Sequence, residues 1–256
     1  MYTEKFFSGE WPIARLAANL TFANQLWFAN IRPLSNAPFW SLGYEFWFYA
    51  IFACTTFLSG WNRIATTLIV AVIAGPKILL LFPVWWMGVW SFRTGRTMQR
   101  KTGLLLLIWT ITFGWVYYQV GLPKYIQACT EVLLGKSWID RLSWSRFFVH
   151  DWILGSILAV TLMSFRAVVR DSVVPKLIAS PIRLVASCTF AMYLLHYPLL
   201  VLTATITSNV YLNLLVTFSI IVALTPWTEG AKPQWRQWVG RWMAACRGPF
   251  SAGNPE

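Results

Sequence analysis

One carboxylate interrupts an otherwise uncharged apolar run, Trp40-Ser41-Leu42-Gly43-Tyr44-Glu45-Phe46-Trp47-Phe48-Tyr49. At helical spacing Ser41, Glu45 and Tyr49 fall at i, i+4 and i+8 and share a face. A carboxylate so placed can act as a general acid or base, or can orient a hydroxyl. It suits equally well a carboxylate paired with an Arg or an amide to lock two helices. A second cluster is Thr189-Phe190-Ala191-Met192-Tyr193-Leu194-Leu195-His196-Tyr197-Pro198. His196 shares a face with Thr189, Met192 and Tyr193, and Pro198 is expected to kink the helix and free the Leu194 carbonyl. A lone intramembrane histidine can also simply hydrogen-bond a neighbouring helix. The third pair, His150-Asp151, lies at the mouth of an apolar helix. Adjacent residues do not share a helical face, so the pair is no ready-made dyad, and it is expected to be solvated. Ionisable groups in apolar helices are costly, which makes them site candidates. Glu45 and His196 are therefore the catalytic candidates, with Trp40, Ser41, Tyr49 and Tyr193 as substrate-binding candidates.

Other chemistries lose ground. There is no Walker loop, no Gly-x-Gly-x-x-Gly, no His-Glu-x-x-His and no Gly-x-Ser-x-Gly elbow. Cys54, Cys129, Cys188 and Cys246 show no paired spacing, so neither a disulfide framework nor a metal site is expected. The net charge of +12 comes without any zinc-finger, RNA-binding or helix-turn-helix pattern, and nucleic acid is not an expected partner.

The elements that must position these residues are membrane helices. Hydrophobic residues make up 57% of the chain and charged residues 12%, against about 25% charged in a soluble domain. The apolar residues fall in blocks: Trp40–Leu58, Ile64–Trp90, Gly103–Val120, Phe147–Phe165, Leu184–Ile206 and Asn209–Pro226. Most approach the ~20 residues a bilayer core demands. Ile64–Trp90 is too long for one span and is broken at Gly75-Pro76-Lys77. It reads as two short helices, 64–74 and 78–92, with a re-entrant hairpin as the alternative. The expected fold class is all-α: a polytopic transmembrane helical bundle of about seven membrane helices, one pair short and broken at Gly75-Pro76.

Residues 11–30 hold Asn19, Asn24 and Gln25, poor content for a spanning helix, and read as interfacial. The N-terminal MYTEKFFSGE lacks the apolar core of a cleavable signal peptide. Orientation follows from charge. With the C-terminus inside, the inner segments 59–63, 93–102, 166–183 and 227–256 hold 13 of the 21 Lys and Arg. The outer segments are then 1–39, 75–77, 121–146 and 207–208. The division is 1–39, an outer-face interfacial segment; 40–226, the transmembrane bundle; and 227–256, a cytoplasmic basic tail with an amphipathic helix at Gln234–Met243.

The run Trp40-Ser41-Leu42-Gly43-Tyr44-Glu45 with Phe48-Tyr49 resembles the Trp-Ser-Leu-x-x-Glu-x-x-Phe-Tyr signature of the acyltransferase-3 family, bacterial membrane acyltransferases of the O-antigen and Nod-factor acetylase type. Tyr193-Leu194-Leu195-His196-Tyr197-Pro198 is similar to the family's late Tyr-Leu-x-His-x-Pro helix. Phe82-Pro83 through Gly88 resembles its Phe-Pro-x-Phe-x-x-Gly segment, and Glu229 and Pro233 its short Glu-Pro element at looser spacing. The resemblance implies a ten-helix bundle that takes an acyl group from acyl-CoA, acetyl-CoA in the usual case, as co-substrate. The group goes to a hydroxyl of a carbohydrate acceptor of the cell envelope or of an exported glycan. It further implies a multi-pass protein of the bacterial inner (plasma) membrane, in contact with the lipid bilayer.

The family's first three helices, including an Arg-x10-His element, have no counterpart here, and His196 belongs to a different motif. On that ground the chain alone is expected to be inactive, as a truncated or short relative. Two non-enzymatic readings stand beside the enzyme: a transporter or flippase built on the broken and kinked helices, and a scaffold subunit for envelope polysaccharide. In the enzyme reading, Glu45 and His196 are expected to line one cavity.

Overall fold

A computed structural model describes residues 12–33, 36–94, 98–170, 175–230, 234–235 and 237–241. The N-terminal MYTEKFFSGE, Pro233, Trp242, Met243 and Cys246, and the side chain of Glu229, lie outside them. The described residues form helices and no strand. The chain divides into two compact units, one of residues 1–34 and 39–173, the other of residues 35–38 and 174–256.

The first unit holds α1 (Pro12–Leu20), α2 (Trp40–Phe57), α3 (Gly60–Ala74), α4 (Pro76–Thr94), α5 (Arg100–Gln119), α6 (Leu122–Leu134), α7 (Lys136–Arg141) and α8 (Phe148–Val169). The expected break between α3 and α4 is present, as a bend of 119°. Its cause is local. Gly75 has φ +82°, a region costly for any residue with a Cβ, and a Cβ there would stand 2.7 Å from the Cα of Trp27. Pro76 then opens α4, where its missing N–H costs no helical bond. Trp27 N donates to the Ala74 carbonyl at 3.2 Å, tying the segment after α1 to the break.

α5 packs on α8, and α4 on the other flank of α8. Small residues permit the close approach: a Cβ on Gly103 would come within 2.9 Å of Ala167, and one on Gly155 within 2.9 Å of Val84. Between α5 and α6 the chain bends by 65°. Gly121, at φ +73°, ends α5, and a proline at the first turn of α6 restarts the helix. The segment 121–146, expected as an outer connection, is thus helical for most of its length, as α6 and α7. Lys124, Gln127 and Glu131 break up the apolar run there, so the pattern is amphipathic rather than spanning.

The second unit is built on α9 (Lys176–Ala204) packed against α10 (Val210–Gly230). α9 starts eight residues before the expected Leu184, and Pro181 stands inside its second turn, where it has no N–H to give the Leu177 carbonyl. Asn209 caps α10: its Oδ1 accepts from Tyr211 N at 3.0 Å and Leu212 N at 3.1 Å. Between the two helices Thr203 bonds Thr217 at 3.1 Å and also meets the Asn213 side chain. Both threonines are buried, so their hydroxyls are satisfied inside the pair.

Among the described residues, α8, Leu177–Ala204 and Val210–Trp227 are each long and apolar enough to cross a membrane, and counting each bent pair as one span raises the number to five. α2 is not among them, contrary to the span expected over Trp40–Leu58, since Ser41, Gly43, Glu45, two Trp and two Tyr lower its hydropathy. Within these apolar windows only 28%, 12% and 17% of residues are buried. Surfaces so rich in exposed Leu, Val, Phe and Trp are expected in lipid and not in water. Over its described residues the chain is all-helical, with the marks of a multi-pass membrane protein.

Candidate functional site

α2 turns two faces to different surroundings. Tyr44, Phe48 and Ile51, at i, i+4 and i+7, are buried, and Tyr44 and Phe48 join Ala74 and Ile78 in one core cluster. Gly43 lets α2 approach the preceding loop, where a Cβ would stand 2.6 Å from Asn24 Oδ1. The stripe of Ser41, Glu45 and Tyr49 lies off that core, with Ser41 half-buried and Glu45 and Tyr49 exposed. The Tyr49 ring meets Trp85 edge-on at 5.4 Å. Trp40 stacks on Trp144 at 5.0 Å with the rings within 6° of parallel, so one of its two faces is already covered.

The second unit arranges its candidates around the proline of α9. Pro198 lacks the N–H that would bond the Leu194 carbonyl. Asn36 Nδ2 donates to that carbonyl instead, at 3.0 Å. Tyr193 Oη donates to the Pro38 carbonyl at 2.8 Å, so two side-chain bonds hold 36–38 against the kink. His196 Nδ1 lies 2.8 Å from Met192 O and 2.9 Å from Tyr193 O. A carbonyl only accepts, so Nδ1 carries the hydrogen and, in the neutral ring, Nε2 keeps its lone pair. Trp40, Ser41, Glu45 and Tyr49 are together on α2; Tyr193 and His196 are together on α9, with ring centroids 6.4 Å apart.

The most elaborate polar locus was not legible in the sequence. Lys77 reads there as an outer-loop cation beside a Gly-Pro break, yet it is fully buried in the first turn of α4. Its Nζ donates to Gln25 Oε1 at 3.1 Å and to the Ala29 carbonyl, and among the described residues no carboxylate pairs with it. Gln25 passes the chain on to Asn30 Oδ1 at 3.2 Å, which also accepts from Trp144 Nε1 at 3.2 Å. Trp144 is the ring stacked on Trp40, so the polar network reaches the first turn of α2. Beside it, Ser145 Oγ donates to the Lys77 carbonyl at 2.8 Å. Its only proton being so used, Ser145 accepts from Tyr44 Oη at 2.9 Å.

Asn19, Asn24 and Gln25, which mark 11–30 as unfit to span, are buried rather than solvent-facing. The signal that points to this locus is a lone lysine inside an apolar run, together with three amides in an otherwise apolar neighbourhood.

His150 differs from its expected solvated state. It is half-buried, its ring lies nearly parallel to that of Tyr117, and its Nδ1 is 2.7 Å from the Tyr117 hydroxyl.

Compared with protein-family models, with curated proteins and with solved structures, the chain gives no match.

Proposed function

We propose that the chain is a polytopic acyltransferase of the bacterial inner membrane, with about seven membrane helices and a cytoplasmic C-terminus. It moves an acyl group, acetyl in the usual case, from acyl-CoA to a hydroxyl of a cell-envelope or exported carbohydrate. The observation that carries this reading, and that sets it against the expectation of an inactive chain, is the tautomer of His196. With Nδ1–H held by the carbonyls of its own helix, Nε2 is the nitrogen free to take a proton, as a general base for a hydroxyl requires. The acceptor oxygen attacks the thioester carbonyl carbon while its proton passes to Nε2. The carbon–sulfur bond breaks, and coenzyme A leaves as thiolate and receives that proton. The stripe of Ser41, Glu45 and Tyr49 supports carbohydrate recognition on α2, offering a hydroxyl, a carboxylate and an aromatic ring on one helical face.

The resemblance of Trp40–Tyr49 and Tyr193–Pro198 to the acyltransferase-3 motifs points the same way. One observation favours a transporter or flippase instead: the bent pair α3–α4 with a buried lysine at its break. The O-acetyl content of envelope polysaccharide separates the two readings. In a strain carrying the gene at its native locus, His196→Gln is expected to lower O-acetylation about 10²-fold or more, the scale of a lost general base, and Glu45→Gln to lower it through weakened acceptor binding, both at unchanged protein level. Unchanged O-acetylation in both variants, or loss only in step with protein abundance, contradicts the assignment.

A further inference from the structure

A cavity of about 450 Å³ opens between α6 and the start of α8, lined by Pro123, Lys124, Gln127, Glu131, Phe147 and His150. The polar atoms around it are specified by their partners. Gln127 Nε2 donates to Glu131 Oε1 at 2.8 Å, which holds the carboxylate in place and leaves its second oxygen to accept. Tyr117 is buried, and among the described residues its hydroxyl meets no acceptor but His150 Nδ1. The tyrosine therefore donates, and the neutral imidazole carries its hydrogen on Nε2 as a donor.

Lys124 and Glu131 stand seven residues apart on α6, about 10.5 Å along the axis, and no ion pair joins them. The cavity thus presents a cation and a carboxylate that do not neutralise each other. Beside it on α6 the surface is apolar: Tyr125 and Val132, which flank the cavity-lining face at helical spacing, are exposed, Val132 to 85%.

We propose that this cavity seats the headgroup of a zwitterionic phospholipid with a primary ammonium, phosphoethanolamine, whose acyl chains lie along the exposed apolar residues of α6. Lys124 and the Nε2–H of His150 bind the phosphate, and Glu131 accepts from the ammonium. Charge decides among headgroups. A purely anionic lipid meets the carboxylate of Glu131. A trimethylammonium has no N–H to give it, and Phe147 alone is no aromatic cage for such a cation. The inference goes beyond the proposed function and needs only that the protein sits in a bilayer.

The test uses the purified full chain in detergent, titrated with dioleoyl phosphatidylethanolamine, phosphatidylcholine and phosphatidylglycerol, with bound lipid counted by native mass spectrometry. The expected result is a preference of about 5-fold for phosphatidylethanolamine over each of the others, the size of one half-exposed ion pair. Glu131→Gln removes the preference over phosphatidylcholine, whereas Lys124→Gln weakens both zwitterionic lipids alike. Ala128, exposed on α6, also lines the cavity; Ala128→Phe fills it, abolishes the preference without touching a charged group and stands in if the Gln variants fail to fold. Equal binding of the three lipids, or a preference that survives both Glu131→Gln and Ala128→Phe, overturns the proposal.

Discussion

Lys77 is the residue whose environment is most demanding. A buried ammonium held by two neutral acceptors depends on each of them, because the charge has no water to fall back on. Gln25→Leu removes one acceptor and strands the charge, and is expected to destabilise the protein by about 2–3 kcal/mol. Adding Lys77→Met to Gln25→Leu removes the stranded charge and is expected to recover part of that loss, so the pair deviates from additivity. Thermal unfolding in detergent of the two single variants and the double variant measures this; strict additivity would show that the two side chains are not coupled. Part of the residue-scale detail was readable beforehand. Pro198 does release the Leu194 carbonyl, and the structure adds the Asn36 amide that accepts the task of satisfying it. The burial of Lys77, Asn24 and Gln25 was not readable, since amides in a short segment and a lysine after Gly-Pro carry the same local signals as a surface turn.

The decisive element is the bend between α3 and α4. Gly75 is there for two independent reasons, a positive φ and backbone atoms of Trp27 less than 3 Å from where a Cβ would sit. Neither the Trp27 backbone nor the φ value can relax cheaply. Gly75→Ala is therefore expected to cost about 2–4 kcal/mol, combining left-handed strain with the overlap. The protein level and melting temperature in membranes report it; a variant as stable as the parent would mean that the bend is not fixed by this contact. Long apolar runs such as Phe147–Phe165 and Asn209–Pro226 announced their helices, because nothing but a membrane or a core accepts them. α6 and α7 went unannounced, because Lys124, Gln127, Glu131 and Asp140 make 122–141 resemble a polar connection, although the helix needs only one apolar face.

At the scale of the whole molecule, composition and the exposed apolar helices argue for a multi-pass membrane protein, and the excess of Lys and Arg in 93–102, 166–183 and 227–256 supports a cytoplasmic C-terminus. A green fluorescent protein fused to Glu256 is then expected to fluoresce, while an alkaline phosphatase fused at the same point stays inactive; the reverse pattern would invert the topology and the charge argument with it. The enzymatic reading rests on motif resemblance and on the orientation of one imidazole, so it is answered by chemistry rather than by more geometry. Its most direct test is transfer of label from radiolabelled acetyl-CoA to carbohydrate in inverted membrane vesicles, with the gene at its native locus or deleted. Label is expected in a base-labile ester on carbohydrate only when the gene is present and His196 is intact. Equal labelling in vesicles from the deletion strain, or in those carrying His196→Gln, would contradict it.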